Sequence, residues 1–184
     1  EGVSADASPA KKRPGSSGFG SAGKRTQAQA AAAKQSAEQL IAGFHRDAAV
    51  CFTDGACKGN PGPAGSGAVV KLPDGSVLER YSSLGVATNN VGELTAIGLA
   101  LDLLDEAQFS TTERVEICTD SKYVFGLLEL GWKAKSNQEL IAGLRHRLRG
   151  RRVQLHWVAG HVGIAENERA DELANQGVAE SMGA

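Results

Sequence analysis

The chain has 184 residues, 41% hydrophobic and 22% charged, with a formal net charge of −1, which suits one globular domain plus a tail. Residues 1–47 carry seven basic and four acidic residues, and the rest thirteen basic and seventeen acidic, so a strong overall field for nucleic acid is excluded and local basic patches would have to serve. Three cysteines, Cys51, Cys57 and Cys118, are odd in number and lack metal-ligand spacing; they read as reduced thiols of an intracellular, cytoplasmic protein.

No apolar run approaches a membrane span and no secretory signal is evident. The chain opens on Glu1 rather than methionine, as a fragment or a processed product would. Residues 1–24, rich in Gly, Ser, Ala and Lys, read as a disordered, solubilising tail. Residues 25–47 read as a helical linker: 26–46 have high helix propensity and turn apolar only at the end.

A domain is expected over 48–180. Strands are expected at 48–54, 64–71 and 76–83, the last two joined by the turn Leu72-Pro73-Asp74-Gly75. Residues 90–107 place Leu94, Ile97, Leu101 and Leu104 at helical spacing. A strand at 114–119, helices at 121–130 and 136–149, a strand at 152–158 and a helix at 166–178 complete the order βββαβααβα. A hairpin meander followed by alternating elements implies an α/β domain, a mixed sheet flanked by helices.

Two of these strands end on an acid. "CFTDGACKGNPGPAGSGAVV" passes from an apolar run to Asp54 and then into glycine and proline, and "CTDS" repeats the pattern at Asp120. Each aspartate alone is ordinary turn chemistry. If the two strands are neighbours, the carboxylates stand side by side and repel unless a cation lies between them. Glu93 would pair with Asn90 as a capping box, yet it lies one turn before Ile97, toward the sheet, where a carboxylate is costly to desolvate. Asp171 borders the stripe Ala170, Leu173, Ala174 and Val178. Four such acids suggest a hard-cation site of the Mg²⁺ kind, with room left for a phosphate. The Gly/Pro-rich segment after Asp54 would let backbone groups approach a sugar–phosphate chain.

"FTDGACKGNPGPAGSGAV", "TNNVGELTAI", "CTDSKYV", "GWK" and "WVAGHVGIAENERADELA" stand in the order and spacing of type I ribonuclease H, and the resemblance spans about residues 48–178. It implies the ribonuclease H-like fold with a five-stranded sheet. It also implies Mg²⁺-dependent cleavage of the RNA strand of an RNA–DNA hybrid, leaving 3′-hydroxyl and 5′-phosphate ends. Carried over by position, the metal-binding acids are Asp54, Glu93, Asp120 and Asp171, with two Mg²⁺ ions per site and Mn²⁺ as a substitute. The mobile histidine falls on His161, implied to shuttle protons and aid product release. The hybrid's minor groove would meet the backbone of Gly55, Ala56 and Cys57 and the side chains of Asn60, Asn89 and Asn90. Thr88 and Asn137 match a pocket for a phosphate of the DNA strand.

Departures from the family pattern remove cations. The short "FGLLEL" (125–130) stands where many relatives insert a basic protrusion, and Val86 stands where many carry arginine. Lys122 and the run Arg145, Arg147, Arg149, Arg151 and Arg152 are candidates to compensate, as is the basic N-terminal segment. Removal of residues 1–47 is accordingly expected to raise KM more than it lowers kcat. A monomer is expected. The rival readings are a catalytically weak hybrid-binding module and a different nuclease on the same fold.

Overall fold

Runs of residues buried on both faces build the central strands of this domain's sheet. The structure, a computed structural model, describes residues 25–183, and the tail expected over 1–24 lies outside them. Five strands, β1 (Ala49–Cys57), β2 (Gly62–Lys71), β3 (Val77–Ala87), β4 (Arg114–Thr119) and β5 (Arg152–Trp157), form one sheet in the order β3-β2-β1-β4-β5. The β1–β2 and β2–β3 pairs are antiparallel, while β1–β4 and β4–β5 are parallel. This is the mixed α/β sheet that the ribonuclease H resemblance implies. The turn after β2 is set by Gly75 at φ +89 and by the Asp74 carboxylate, which accepts the Ser76 N–H at 2.8 Å.

Helices α2 (Asn89–Glu106), α3 (Lys122–Leu128) and α4 (Gln138–Arg149) cover one face. There Leu94, Ile97, Leu101 and Leu104 pack with Cys51, Ile117, Leu127 and Ile141, all buried. Helix α5 (Ala165–Gly183) lies on the other face, where Ala170 and Leu173 meet Phe52, Val69 and Cys118. Residues 25–47, expected as a helical linker, hold helix α1 (Gln27–Ala42), which joins this second layer through buried Ala37 and half-buried Ala33, Leu40, Ile41 and Phe44. Its first interacting residues, Ala33 and Ala37, are alanines and larger ones come only from Leu40 on, so it reads as weakly apolar over most of its length.

Three local expectations change. β1 runs on to Cys57, because Gly55, Ala56 and Cys57 keep their pairing with Ser66, Gly65 and Ala64 of β2. The cap of α2 is Thr88, whose hydroxyl accepts the Val91 N–H at 3.3 Å, so Asn90 and Glu93 do not form the expected capping box. The arginine run mostly faces inward. Arg147 pairs with Asp102 and Asp105 at 2.8 Å each, Arg151 pairs with Asp105, and Arg145 donates to the Leu127 and Trp132 carbonyls. These contacts tie α4 to α2 and to the end of α3, and leave three of the five arginines engaged within the fold.

Candidate active site

Sheet register brings the first two acids together. Phe52 pairs with Cys118 and Thr53 with Thr119, in parallel strands. Asp54 and Asp120 are the next residues along, Asp54 inside β1 just past the end of its pairing with β4 and Asp120 just past the last residue of β4, so they emerge on the same side.

Missing Cβ atoms bring in the others. A Cβ on Gly55 would lie 2.2 Å from the Glu93 backbone nitrogen, so the first turn of α2 lies directly on β1 beside Asp54. The Ser66 hydroxyl fixes that turn by donating to the buried Gly92 carbonyl at 2.8 Å. Asp54 pairs with Gly67 of β2, and a Cβ there would lie 2.2 Å from the Ala170 carbonyl oxygen. Helix α5 is thereby drawn onto β2, and Asp171, the residue after Ala170, comes near enough to Asp54 to raise its carboxyl. The Asp171 carboxylate also accepts the Asn175 side-chain amide at 3.0 Å.

One carboxylate oxygen each from Asp54, Glu93 and Asp120 lies within 4.8 Å of the other two. Burial first, then the Asp120 charge and the Asp171 contact, push the Asp54 carboxyl up to about 8. Glu93 is raised well above the usual carboxylate range by burial and then by the charges of Asp54 and Asp120. Burial also raises Asp120, and the nearness of His161 and Arg25 works against that rise. Glu93 Oε1 accepts from the Asn89 side chain at 3.4 Å, but its buried Oε2 has no hydrogen-bond partner. An all-oxygen donor set, mutual repulsion and an orphaned buried oxygen fit a hard divalent cation.

His161 lies on an exposed turn after β5 at φ +53, a conformation few non-glycine residues adopt. Gly160 precedes it, and a Cβ there would stand 1.9 Å from Asp120 Oδ2. The turn thus abuts the acid cluster. Asn60 Oδ1 accepts the Asn89 N–H at 3.2 Å, which links the β1–β2 loop to α2 and, through Asn89, to Glu93. Gly55, Ala56 and Cys57 close β1 beside that loop, and Asn90 is exposed on the first turn of α2. Thr88's hydroxyl accepts the cap bond and keeps its own hydrogen to donate. Asn137 stands at the start of α4 in the left-handed conformation, with no side-chain cap bond.

Sequence reasoning missed two groups. Trp157 donates its indole N–H to the Asp120 carbonyl at 2.9 Å, and its ring lies 5.1 Å from the Lys122 ammonium. Its half-exposed aromatic side chain at a strand end was the available signal. Arg25 donates to the Gly160 carbonyl at 3.0 Å from outside the expected domain.

Residues 46–179 match the RNase H family model. A ribonuclease H of Halorhodospira halophila is 43% identical over 142 residues, covering 70% of this chain and 91% of that protein. The N-terminal RNase H domain of a Mycobacterium tuberculosis protein, solved as a fusion with maltose binding protein, superposes with a TM-score of 0.64 at 34% identity, over 73% of this chain and 96% of that one. LC11-RNase H1, solved in complex with an RNA/DNA hybrid, gives 0.63 at 30% identity, over 73% and 99%.

Proposed function

The chain belongs to the ribonuclease H family, and from that membership we propose that it hydrolyses the RNA strand of RNA–DNA hybrids at internal phosphodiesters, leaving 3′-hydroxyl and 5′-phosphate ends. The observation that carries this reading is the meeting of Asp54, Glu93 and Asp120 at one end of the sheet, with Asp171 beside them. A hybrid duplex bound to a relative of the same fold supports the substrate.

Asp54, Glu93, Asp120 and Asp171 would hold Mg²⁺, two ions with substrate in place, and Mn²⁺ would substitute because both take oxygen ligands. Bound there, the metal would supply Lewis-acid stabilisation of the charge that builds on the attacking and departing oxygens. The protein's own residues do the rest. Gly55, Ala56 and Cys57 offer backbone groups to the hybrid's minor groove, where 2′-hydroxyls distinguish RNA from DNA. Asn60 and Asn89, tied to each other, and the exposed Asn90 extend that surface toward Glu93. Thr88, Lys122 and Asn137 supply polar contacts to the DNA strand's phosphates. His161 carries a proton between solvent and the departing 3′-oxygen.

The test is cleavage of 5′-labelled RNA paired with DNA, in Mg²⁺ at low salt, beside RNA–RNA and DNA–DNA duplexes. Internal cuts confined to the RNA of the hybrid are expected, and the nearly isosteric Asp54→Asn should abolish them. Tight hybrid binding without cleavage in either metal would replace this reading with a binding module.

A further inference from the structure

Helix α1 lies upstream of the residues that match the family, and the proposed reaction does not use it. It nonetheless reaches the site. Phe44, just past its C-terminus, packs against His156 of β5 with ring centroids 4.8 Å apart, while Arg25, just before its N-terminus, donates to the Gly160 carbonyl at 3.0 Å. The segment that carries the helix therefore touches β5 at one end and the turn beside Asp120 at the other.

Its contacts bracket His161. Ala159, Val162 and Ile164 are buried in the same cluster as Ala37 of α1, and the Lys34 ammonium lies 3.3 Å from where a Cβ on Gly163 would stand. A capping box between Thr26 and Gln29 fixes the first turn one residue after Arg25, which anchors the base of that long side chain. The turn itself holds His161 at φ +53, a conformation that persists when its surroundings impose it.

We propose that Arg25, carried by helix α1, is a positioning residue for His161: its guanidinium bond to the Gly160 carbonyl fixes the turn that presents the imidazole to the acid cluster. This rests on the ribonuclease H reading, in which His161 handles the proton. The guanidinium also brings positive charge toward Asp120, which favours keeping Arg25 at this end of the sheet.

The experiment compares Arg25→Met and Arg25→Lys in the full chain, in wild-type and His161→Ala backgrounds, by hybrid-cleavage kinetics and by amide NMR. Loss of one part-buried charged hydrogen bond predicts a kcat roughly threefold to tenfold lower for Arg25→Met, with KM changed less than about twofold. Arg25→Lys should recover part of the loss. In the His161→Ala background Arg25→Met should have no further effect, because both act through one group. The melting temperature should fall by no more than about 2–4 °C, since the cap begins at Thr26 and one hydrogen bond is lost, and the amide resonances of Gly160 and His161 should shift in Arg25→Met.

A rise in KM alone would make Arg25 a substrate contact and overturn the proposal. Additive losses in the His161→Ala background, an unchanged kcat, or a His161→Ala protein as fast as wild type would overturn it too. Wild-type protein that fails to cut hybrid would sink the ribonuclease H reading instead. Unmoved Gly160 and His161 resonances would then still overturn the turn-fixing role separately.

Discussion

Removing the charge at Asp54 should stabilise the metal-free protein while destroying its activity. The Asp54 carboxyl is pushed up to about 8 by burial, then by the Asp120 charge and the Asp171 contact. Below about pH 4 both folded and unfolded chains carry this proton, and the group costs the fold nothing. As pH climbs toward 8 the unfolded chain has already released its proton, so the folded state falls behind. At pH 7 the unfolded group is about three units past its pKa, and at 1.36 kcal/mol per unit the cost approaches ~4 kcal/mol. Solvent screening at the partly exposed edge of the cluster brings the expected gain for Asp54→Asn nearer ~2 kcal/mol, a rise in melting temperature of roughly 4–8 °C. Thermal melts of both proteins in EDTA, from about pH 5 to 8.5, measure it. The gap should be small at the acid end and widen as the pH approaches the folded-state value, and Mg²⁺ should close it by stabilising wild type alone. An Asp54→Asn variant no more stable than wild type at the alkaline end, or a gap that narrows as pH rises, would refute the reasoning.

Gly55→Ala should destabilise the fold by about 1–3 kcal/mol and abolish cleavage, because its Cβ would meet the Glu93 backbone at 2.2 Å; melts and hybrid cleavage check it, and an active protein of normal stability would show that α2 does not lie on β1 as described. For the N-terminal segment, the cut belongs after residue 24 rather than 47, since α1 contributes Ala37 to the core. Removal of residues 1–24, with four basic and two acidic residues, should raise KM for hybrid at low salt and flatten its salt dependence, with kcat unchanged. An unchanged KM at low salt would end the tail's role in binding.

What was legible in the sequence follows from what each signal encodes. Short apolar runs bounded by turn residues and period-3.6 patterning report which elements are buried, so the sheet, its flanking helices and Asp120 after a strand's end could be placed from residues alone, while Asp54 proves to lie inside β1. The direction in which a charged side chain turns is a tertiary fact. The arginine run therefore read as a surface for phosphate, while Arg145, Arg147 and Arg151 turn to carbonyls and acids of neighbouring elements. Helix α1 hid for a related reason: an alanine-rich stripe such as Ala33 and Ala37 looks the same whether a helix is solvated or docked.

The glycines carry the deeper lesson about the site. In sequence Gly55 read as room for a sugar–phosphate chain, Gly67 as part of a strand and Gly160 as part of a loop; what each contributes to the fold is the absence of a side chain where another backbone or a carboxylate must pass. Gly55 admits Glu93, Gly67 admits the turn of α5 that bears Asp171, and Gly160 admits Asp120. Repelling carboxylates would drift apart on a surface free to relax. Here backbone contacts at van der Waals limits hold them, so the cost of bringing them together is met by the packing of the whole domain. With the proposed metal bound, that packing would make the cluster a site held ready for a cation rather than one assembled by it. It also explains why the one group on an exposed turn, His161, needs a separate restraint, which the structure supplies from outside the matched domain through Arg25.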